Sequence, residues 1–368
     1  VDEEQSLTDA PQTEFLALHE IVGAARARLD DNIWDYLAGG SETETTLLRN
    51  RLALDSCALR PRVLRDISRI DMTADFFGKS VPLPVALAPV GSLESFWQDG
   101  GPALARAAQS VNVPLFVSSV MKDGLETMAA ASSGPRVFQL YARGDDAWLD
   151  EQVARVIAHG YDAFCLTVDN AVTSRRERDI TKRFEKPWRK HAKGTEFQTM
   201  FTWKGVERLK QKHPGIPFII KGIGTAEDAE EACRIGIDVV YVSNHGGRQL
   251  DQGAGSFDVL PEVVDAVAGR AKVFVDGGFY RGTDVVKALA LGADFVGVGR
   301  LYLYGLAAGG EAGVIRALTL LREEIEIAMA LLGLADRKYL NSSCVRAAAP
   351  VRDVHALSAF PLLELESR

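Results

Sequence analysis

Eight times along this chain a short, apolar, β-branched run gives way to a longer amphipathic stretch. The runs fall at residues 83–89, 113–118, 136–141, 162–169, 217–222, 238–244, 272–277 and 294–300. They are apolar almost throughout rather than alternating, so they read as strands covered on both faces, the condition of a parallel sheet. The stretches between them, such as 101–111, 146–159, 225–235 and 257–268, place Ala, Glu and Arg at helical spacing. Eight such units favour closure over an open doubly wound sheet. The expected fold is therefore α/β, a (β/α)8 TIM barrel whose last outer helix is the tail 311–332. The 368 residues accommodate it as a single domain spanning 1–368, with a helical extension about 14–54 and a barrel about 83–334.

Two segments fall outside that rhythm. Ahead of the first run, residues 35–40 (DYLAGG) close one helix on glycine, and Ser41-Glu42-Thr43-Glu44 has the spacing of a capping box opening the next. Behind the fourth run lies an insert, residues 170–202, whose stretch 181–194 (TKRFEKPWRKHAKG) is basic and without apolar periodicity. Such a segment reads as a lid, a partner-docking element or a solvated loop. A formal net charge of −8 argues against a nucleic-acid binder. Cys57, Cys165, Cys233 and Cys344 lie far apart with no CxxC, so neither zinc nor a disulfide framework is expected, and a reducing, cytoplasmic setting is. The opening residues are acidic rather than signal-like, and no stretch has the apolar length of a membrane span.

In a barrel, functional groups gather where strands end and βα-loops begin. All eight runs end on polar or turn-forming residues: Pro89-Val90-Gly91, Ser118, Gln139 with Tyr141, Thr167 with Asp169, Lys221, Ser243 through Arg248, Asp276-Gly277-Gly278, and Gly299-Arg300. Singly, each reads as a turn former or helix cap; eight in succession point to a ligand-binding rim. The last two ends offer backbone N–H groups and cations of the kind that hold a phosphate. His245, beside two glycines and an arginine in SNHGGRQLD, suits a general base, with Asp169 to orient its imidazole. The alternative is a loop histidine and a turn aspartate that never meet. Arg248 and Arg176 are candidate carboxylate clamps, although any member of Arg175-Arg176-Glu177-Arg178 also reads as solvated surface. Lys221 ends an apolar strand, where an ammonium needs an anion. Tyr141 and Tyr36 read either as hydroxyl donors to a substrate or as interfacial aromatics.

Together SNHGGRQLD, LPVALAPVG, VFQLYAR, LTVD with RRERD, FIIKGI, VFVDGG, and RGTDVVKALALGA with GVGR resemble the FMN-dependent 2-hydroxy acid oxidases and dehydrogenases. That family includes glycolate oxidase, lactate oxidase, mandelate dehydrogenase and the flavin domain of flavocytochrome b2, and the similarity runs from about Trp34 to Leu332. The resemblance implies FMN-dependent oxidation of an (S)-2-hydroxy acid to the 2-keto acid. It implies His245 as the catalytic base, Asp169 as its partner, and Arg248, Arg176 and Tyr36 as grips on the substrate carboxylate, with Tyr141 near the reacting end. Lys221 is implied as the group that stabilises reduced flavin. The backbone of Pro89-Val90-Gly91 and the side chains of Ser118, Gln139 and Thr167 are implied as flavin-ring contacts, and Ser243 as a further cofactor contact. Asp276, Gly277, Gly278, Gly299 and Arg300 are implied at the ribityl and phosphate end. The implied electron acceptor is O2 or a redox partner, and the implied assembly a homo-oligomer, a tetramer by analogy.

The chain also departs from the family pattern. The usual DGGxRxG, whose arginine faces the FMN phosphate, is Asp276-Gly277-Gly278-Phe279-Tyr280-Arg281-Gly282, so Tyr280 stands in that arginine's place and Arg300 and Arg281 are the candidates to compensate. The usual His-Pro is Trp97-Gln98, and the usual Gly-Arg-Pro is Gly299-Arg300-Leu301. Val120 and Thr173 are smaller or more polar than their counterparts in glycolate oxidase, which points to a larger or more polar substrate. Gly91 replaces an alanine of several oxidases, as in mandelate dehydrogenase. Two alternatives compete with the oxidative reading. A flavin barrel without net redox turnover, like flavin-dependent isopentenyl diphosphate isomerase, is opposed by the paired arginines and His245. A catalytically silent barrel that binds FMN poorly, or binds some other phosphate, is favoured by Tyr280 and opposed by the intact set Tyr36, Tyr141, Asp169, Arg176, Lys221, His245 and Arg248.

Overall fold

The computed structural model describes residues 15–184 and 194–363; of the basic stretch 181–194, residues 185–193 lie outside them. Three helices, α1 (Leu18–Arg28), α2 (Asp31–Ala38) and α3 (Thr45–Asp55), precede a short strand β1 (Cys57–Leu59) and a hairpin of β2 (Ala74–Phe76) and β3 (Lys79–Val81). The eight expected strands follow as β4 (Val85–Leu87), β5 (Leu115–Ser118), β6 (Arg136–Leu140), β7 (Ala163–Thr167), β8 (Phe218–Ile223), β9 (Val239–Val242), β10 (Lys272–Val275) and β11 (Phe295–Val298). They close on themselves, each strand parallel to its neighbours, β11 returning to β4. Around them run α4 (Gly100–Ser110), α5 (Leu125–Ala131), α6 (Asp146–Ala158), α7 (Glu177–Thr181), α8 (Thr195–Met200), α9 (Trp203–Lys212), α10 (Ala226–Arg234), α11 (Ser256–Val267), α12 (Gly282–Ala290) and α13 (Arg300–Leu331). A last strand, β12 (Val345–Ala347), pairs antiparallel with β1.

The apolar runs serve two faces at once. Ala86, Phe116, Val137, Cys165, Ile219, Tyr241, Phe274 and Phe295 fill the barrel, while Leu87, Leu115, Val117, Leu166 and Val242 face the helices. Alternate residues of a strand point to opposite faces, so a strand buried on both cannot alternate in polarity. The hairpin, which the sequence reading did not anticipate, closes the N-terminal end of the barrel. Its Phe76 ring lies 5.4 Å from Phe295 and 6.3 Å from Phe274. Burying one such ring contributes about 1.5–3 kcal/mol. The stopper leaves the C-terminal rim as the open end.

Two details differ from expectation. Ser41 to Glu44 forms no capping box: the Ser41 hydroxyl donates to Gln249 O at 2.6 Å, Glu44 Oε1 accepts from Gly40 N, and α3 begins without a side-chain cap. The residues serve instead to dock the extension. The final helix starts at Arg300, directly after β11, rather than near residue 311, and bends at Gly309-Gly310. Gly310 has φ 57°, and a Cβ there would stand 2.6 Å from the Trp97 indole. The stop at Gly39 is as expected, closing α2 through a bond to Asp35 O.

The helical extension lies on the rim. Asp251 accepts from the backbone N of Thr43 and Thr46 at 2.9 and 2.8 Å, Asn50 donates to Asn244, and Arg51 pairs with Asp284 at 2.8 Å with both side chains buried. Among the described residues no helix is long and apolar enough to cross a membrane, and the four cysteines are free.

Candidate active site

At the C-terminal ends of the strands a cavity opens whose wall includes Tyr36 of α2, the β4 end Pro89-Val90-Gly91, Tyr141, Arg176, Lys221, His245 and Arg248. Asp276, Gly277, Gly278, Tyr280, Gly299 and Arg300 line it as well. Residues from seven separate strand ends or loops thus meet in one place.

His245 and Asp169 do meet: Nδ1 lies 2.9 Å from Asp169 Oδ1. Their approach is made possible by backbone. Strand β8 slips register between Lys221 and Ile223, where Gly222 adopts φ 110°, and a Cβ at Gly222 would come within 2.7 Å of Asp169 Cβ. His245 itself sits at φ 59°, a left-handed conformation uncommon for a side-chain-bearing residue, and its N–H donates to Ser243 Oγ at 3.1 Å. Burial holds the imidazole below its ordinary value of 6.5, with Asp169 opposing that shift and Lys221 and Arg176 adding to it. The Asp169 carboxyl is also held down: burial raises it, but His245 and Lys221 outweigh burial. The resulting pair is a neutral imidazole with a carboxylate at Nδ1, leaving Nε2 toward the cavity and 3.4 Å from the Tyr141 hydroxyl.

Lys221 does not wait for a ligand to balance it. Its Nζ lies 3.1 Å from Asp276 Oδ2 and donates to Ser243 Oγ at 2.7 Å, and Ser243 in turn donates to Asp276 Oδ1 at 2.6 Å. The anion that the sequence reading calls for is thus supplied by the protein itself, as the Asp276 carboxylate. Burial disfavours the charge, yet Asp276 and Asp169 more than offset it and the pKa stands above its ordinary value. The Ser243 hydroxyl is spent within this network, so Ser243 orients Lys221 and Asp276 rather than lining the cavity.

The arginines separate cleanly. Arg178 pairs with Asp35 and Glu44, and Arg175 is exposed beside Glu177; Arg176 alone of the run lines the cavity. Arg248 Nη1 donates to Tyr36 O at 2.6 Å and Gly39 O at 2.9 Å, its guanidinium lying 4.9 Å from the Tyr36 ring centroid. Burial, then the like charge of Arg176, bring Arg248 down to about 9. An anion between the two half-buried guanidiniums relieves both effects.

At the far end the structure corrects the sequence reading. Arg281 turns away, pairing with Glu324 at 2.5 Å and donating to Ala359 O, and lines a different cavity. Arg300 lines the site but donates to Leu37 O, Gly246 O and Gly39 O. Asp284 accepts from the N–H groups of Tyr280 and Arg281 and so fills the start of α12. What remains for a phosphate is the uncapped start of α13 at Gly299 and Arg300 with the glycines at 277 and 278. Tyr280 is buried, its ring 5.8 Å from the Arg51 guanidinium.

Ser118, Gln139 and Thr167 end adjacent strands, in register with Gln139, Cys165 and Lys221 respectively. Ser118 Oγ donates to Gln139 Oε1 at 2.8 Å, whereas the buried Gln139 Nε2 and Thr167 Oγ1 have no partner among the described residues. Buried donors without partners are rare in folded proteins; a polar heterocycle laid across the barrel mouth satisfies them. The residues therefore fit a flavin ring, with phosphate-type contacts supplied by backbone.

Phe96, Arg143 and Asn170 also line the cavity and were not singled out from the sequence. Phe96 stacks on Tyr36, 5.9 Å between centroids, and nothing local in the sequence signals it. Arg143 follows Tyr141 at a strand end, so the strand-end rule reaches it. Val120 lines the cavity, but Thr173 is exposed and does not. Among the described residues no group of acidic, His or Cys side chains forms a metal site.

Comparison with known proteins bears on the family and the fold. The family described as FMN-dependent dehydrogenase matches residues 25–347. Glycolate oxidase 1 of Oryza sativa subsp. indica is 39% identical over 364 residues, covering 92% of this chain and 98% of that protein. L-lactate oxidase of Nostoc sp. is 37% identical, covering 89% and 96% respectively. Among solved structures, mandelate oxidase with 3,3-difluoro-2-hydroxy-3-phenylpropionic acid superposes with a TM-score of 0.85 at 39% identity, covering 92% of this chain and all of that one.

Proposed function

Because this chain belongs to the family of FMN-dependent dehydrogenases, we propose that it oxidises (S)-2-hydroxy acids to 2-keto acids, with His245 as base and Arg176 and Arg248 gripping the carboxylate. The observation that carries the assignment of roles is the half-buried His245–Asp169 pair, opening by Nε2 onto a cavity flanked by two guanidiniums. When bound, FMN supplies the two-electron acceptor that conversion of an alcohol to a ketone requires.

The protein's own residues do the rest. Arg176 and Arg248 fix the carboxylate and so the α-carbon, turning an encounter into a held geometry. The Tyr141 hydroxyl and His245 Nε2 lie 3.4 Å apart, and the substrate's hydroxyl-bearing carbon would lie beside them. His245 takes one proton at Nε2, and Asp169 stabilises the imidazolium through Nδ1. Gln139, Thr167, Ser118 and the backbone of Pro89-Val90-Gly91 would hold the ring system. Lys221, kept cationic by Asp276, puts positive charge at the barrel mouth. The backbone at Gly277, Gly278, Gly299 and Arg300 would receive the ribityl phosphate. Tyr36 closes the carboxylate side. The relatives named as oxidases support O2 as the acceptor, and the whole chain is taken to act as one catalytic domain in a homo-oligomer.

The test is the visible spectrum of the purified protein under anaerobic conditions as (S)-2-hydroxy acids are added. Bleaching of the oxidised flavin bands is expected, with recovery and peroxide formation on admitting air. A flavin that stays oxidised with every acid overturns the proposal and favours chemistry without net redox turnover.

A further inference from the structure

A buried phenol beneath the site takes no part in the chemistry described so far. Tyr241 stands in β9 among valines and is fully buried. Its ring rests on the aromatic filling of the barrel, 5.7 Å from Phe116 and 5.8 Å from Phe274 between centroids. On the neighbouring strand its register partner is Lys221, whose Nζ lies 5.2 Å from the Tyr241 ring centroid. The phenol is thus the layer between the apolar barrel interior and the ammonium at its mouth.

The tip of the ring reaches β11. Gly297 has no side chain there, and a Cβ on it would stand 3.1 Å from Asp276 Cβ and from Tyr241 Cζ, and would run into the Tyr241 hydroxyl. Gly297 also lines the cavity. The hydroxyl therefore fills the gap that any other residue at 297 would occupy, under the floor of the site and beside Asp276. It makes no standard hydrogen bond among the described residues, and the Asp276 carboxylate is the anion it meets electrostatically. Burial, then Asp276, raise the phenol well above its ordinary value of 10, so it keeps its proton. Asp276 is already shared, taking Lys221 at Oδ2 and the Ser243 hydroxyl at Oδ1. How strongly it neutralises the ammonium depends on what else answers its charge.

From this arrangement we infer that Tyr241 is a positioning residue for the Lys221–Asp276 pair: its hydroxyl, set in the gap at Gly297, answers the carboxylate from beneath and leaves more of the ammonium's charge for the flavin above. The inference deepens the oxidative reading, on whose placement of Lys221 beside the flavin it rests. No bond forms or breaks at Tyr241. A fixed dipole beside a buried carboxylate acts at short range in a medium that screens poorly.

The experiment measures the midpoint potential of the flavin in the holoenzyme by anaerobic reductive titration against a reference dye, a readout that needs no substrate. Tyr241→Phe keeps the ring on Phe116 and Phe274 and removes one oxygen. It is expected to move the reduction equilibrium about three- to tenfold toward oxidised flavin, about 15 to 30 mV for a two-electron couple. Lys221→Met is expected to lower the potential further. In the Lys221→Met background, Tyr241→Phe is expected to change the equilibrium by less than about twofold, because the route through the ammonium is gone. An unchanged potential in Tyr241→Phe, with Lys221→Met lowered, overturns the inference and leaves Tyr241 as barrel packing. A shift of full size that persists without Lys221 also overturns it, since the hydroxyl then acts by another route. If Lys221→Met leaves the potential unchanged, the placement of Lys221 beside the flavin falls and the inference with it. Bleaching of the wild-type flavin by 2-hydroxy acids decides the oxidative reading separately from all of these.

Discussion

The His245–Asp169 contact sets the pH behaviour of the site. The imidazole must be neutral to accept a proton, and its pKa lies below 6.5, so kcat/KM rises with pH along an acid limb centred below that value and is flat above it. Asp169 is the group that raises the imidazole pKa against burial. Asp169→Asn therefore moves the limb to still lower pH while lowering kcat by about 10²- to 10⁴-fold, because the imidazolium loses its counter-charge. A pH–rate profile of the variant checks both. Tyr280 gives a second residue-level prediction. Arg281 pairs with Glu324, the Arg300 guanidinium is committed to backbone carbonyls, and Arg51 donates to Gly278 O and pairs with Asp284. FMN and riboflavin are then expected to bind the apoprotein within about tenfold of each other, and Tyr280→Arg to widen the gap by about a further tenfold. The variant places a guanidinium near Arg51, 5.8 Å from the present ring, so its thermal midpoint falls as its selectivity rises. Fluorescence quenching titrations measure the affinities. These roles were legible unevenly. His245, Asp169 and the paired arginines stand in a dense, ordered motif, whereas the outward turn of Arg281 depends on Glu324, 43 residues away, which no local pattern reveals.

At the scale of elements, the eight barrel strands announce themselves because burial on both faces leaves no room for polar alternation. The hairpin that stoppers the barrel does not, since strands of three residues leave too little period to read. The capping-box spacing at Ser41–Glu44 misleads for a physical reason: Asp251 and Gln249, more than two hundred residues distant, compete for the same groups and win. The bend in α13 is another tertiary feature. Gly310 combines φ 57° with a 2.6 Å approach to Trp97, so Gly310→Ala meets both backbone strain and a clash. A loss of about 1–3 kcal/mol is expected, seen as a lower urea midpoint at unchanged slope. Trp97→Ala in the same background relieves the clash but not the strain, so recovery is partial.

For the molecule as a whole, acid is the destabilising direction. His19, His245 and His355 are each held below 6.5, burial being the largest cause in every case. A histidine whose folded pKa is lowered binds more protons when unfolded, so stability is complete above 6.5 and declines as pH falls below it. Asp169 and Asp251 act in the same sense at lower pH: their folded pKa values lie below 3.8, and their contribution is lost as pH falls through that range. The thermal midpoint is expected to be level from pH 8 to about 7 and to drop below about 6.5; a midpoint that rises on acidification contradicts the buried neutral histidines.

The carbonyls of Leu37 and Gly39 that grip Arg300 lie 263 and 261 residues before it, and the Tyr36 carbonyl lies 212 before Arg248. During synthesis the extension leaves the ribosome more than two hundred residues before these partners. Loops of that length close late, after the local βα units have formed. The rim that receives cofactor and substrate is thus the final piece to assemble, and a nascent chain arrested before β11 carries most of a barrel with no finished site. Added flavin is expected to act on the last step of refolding and to leave the earlier ones alone.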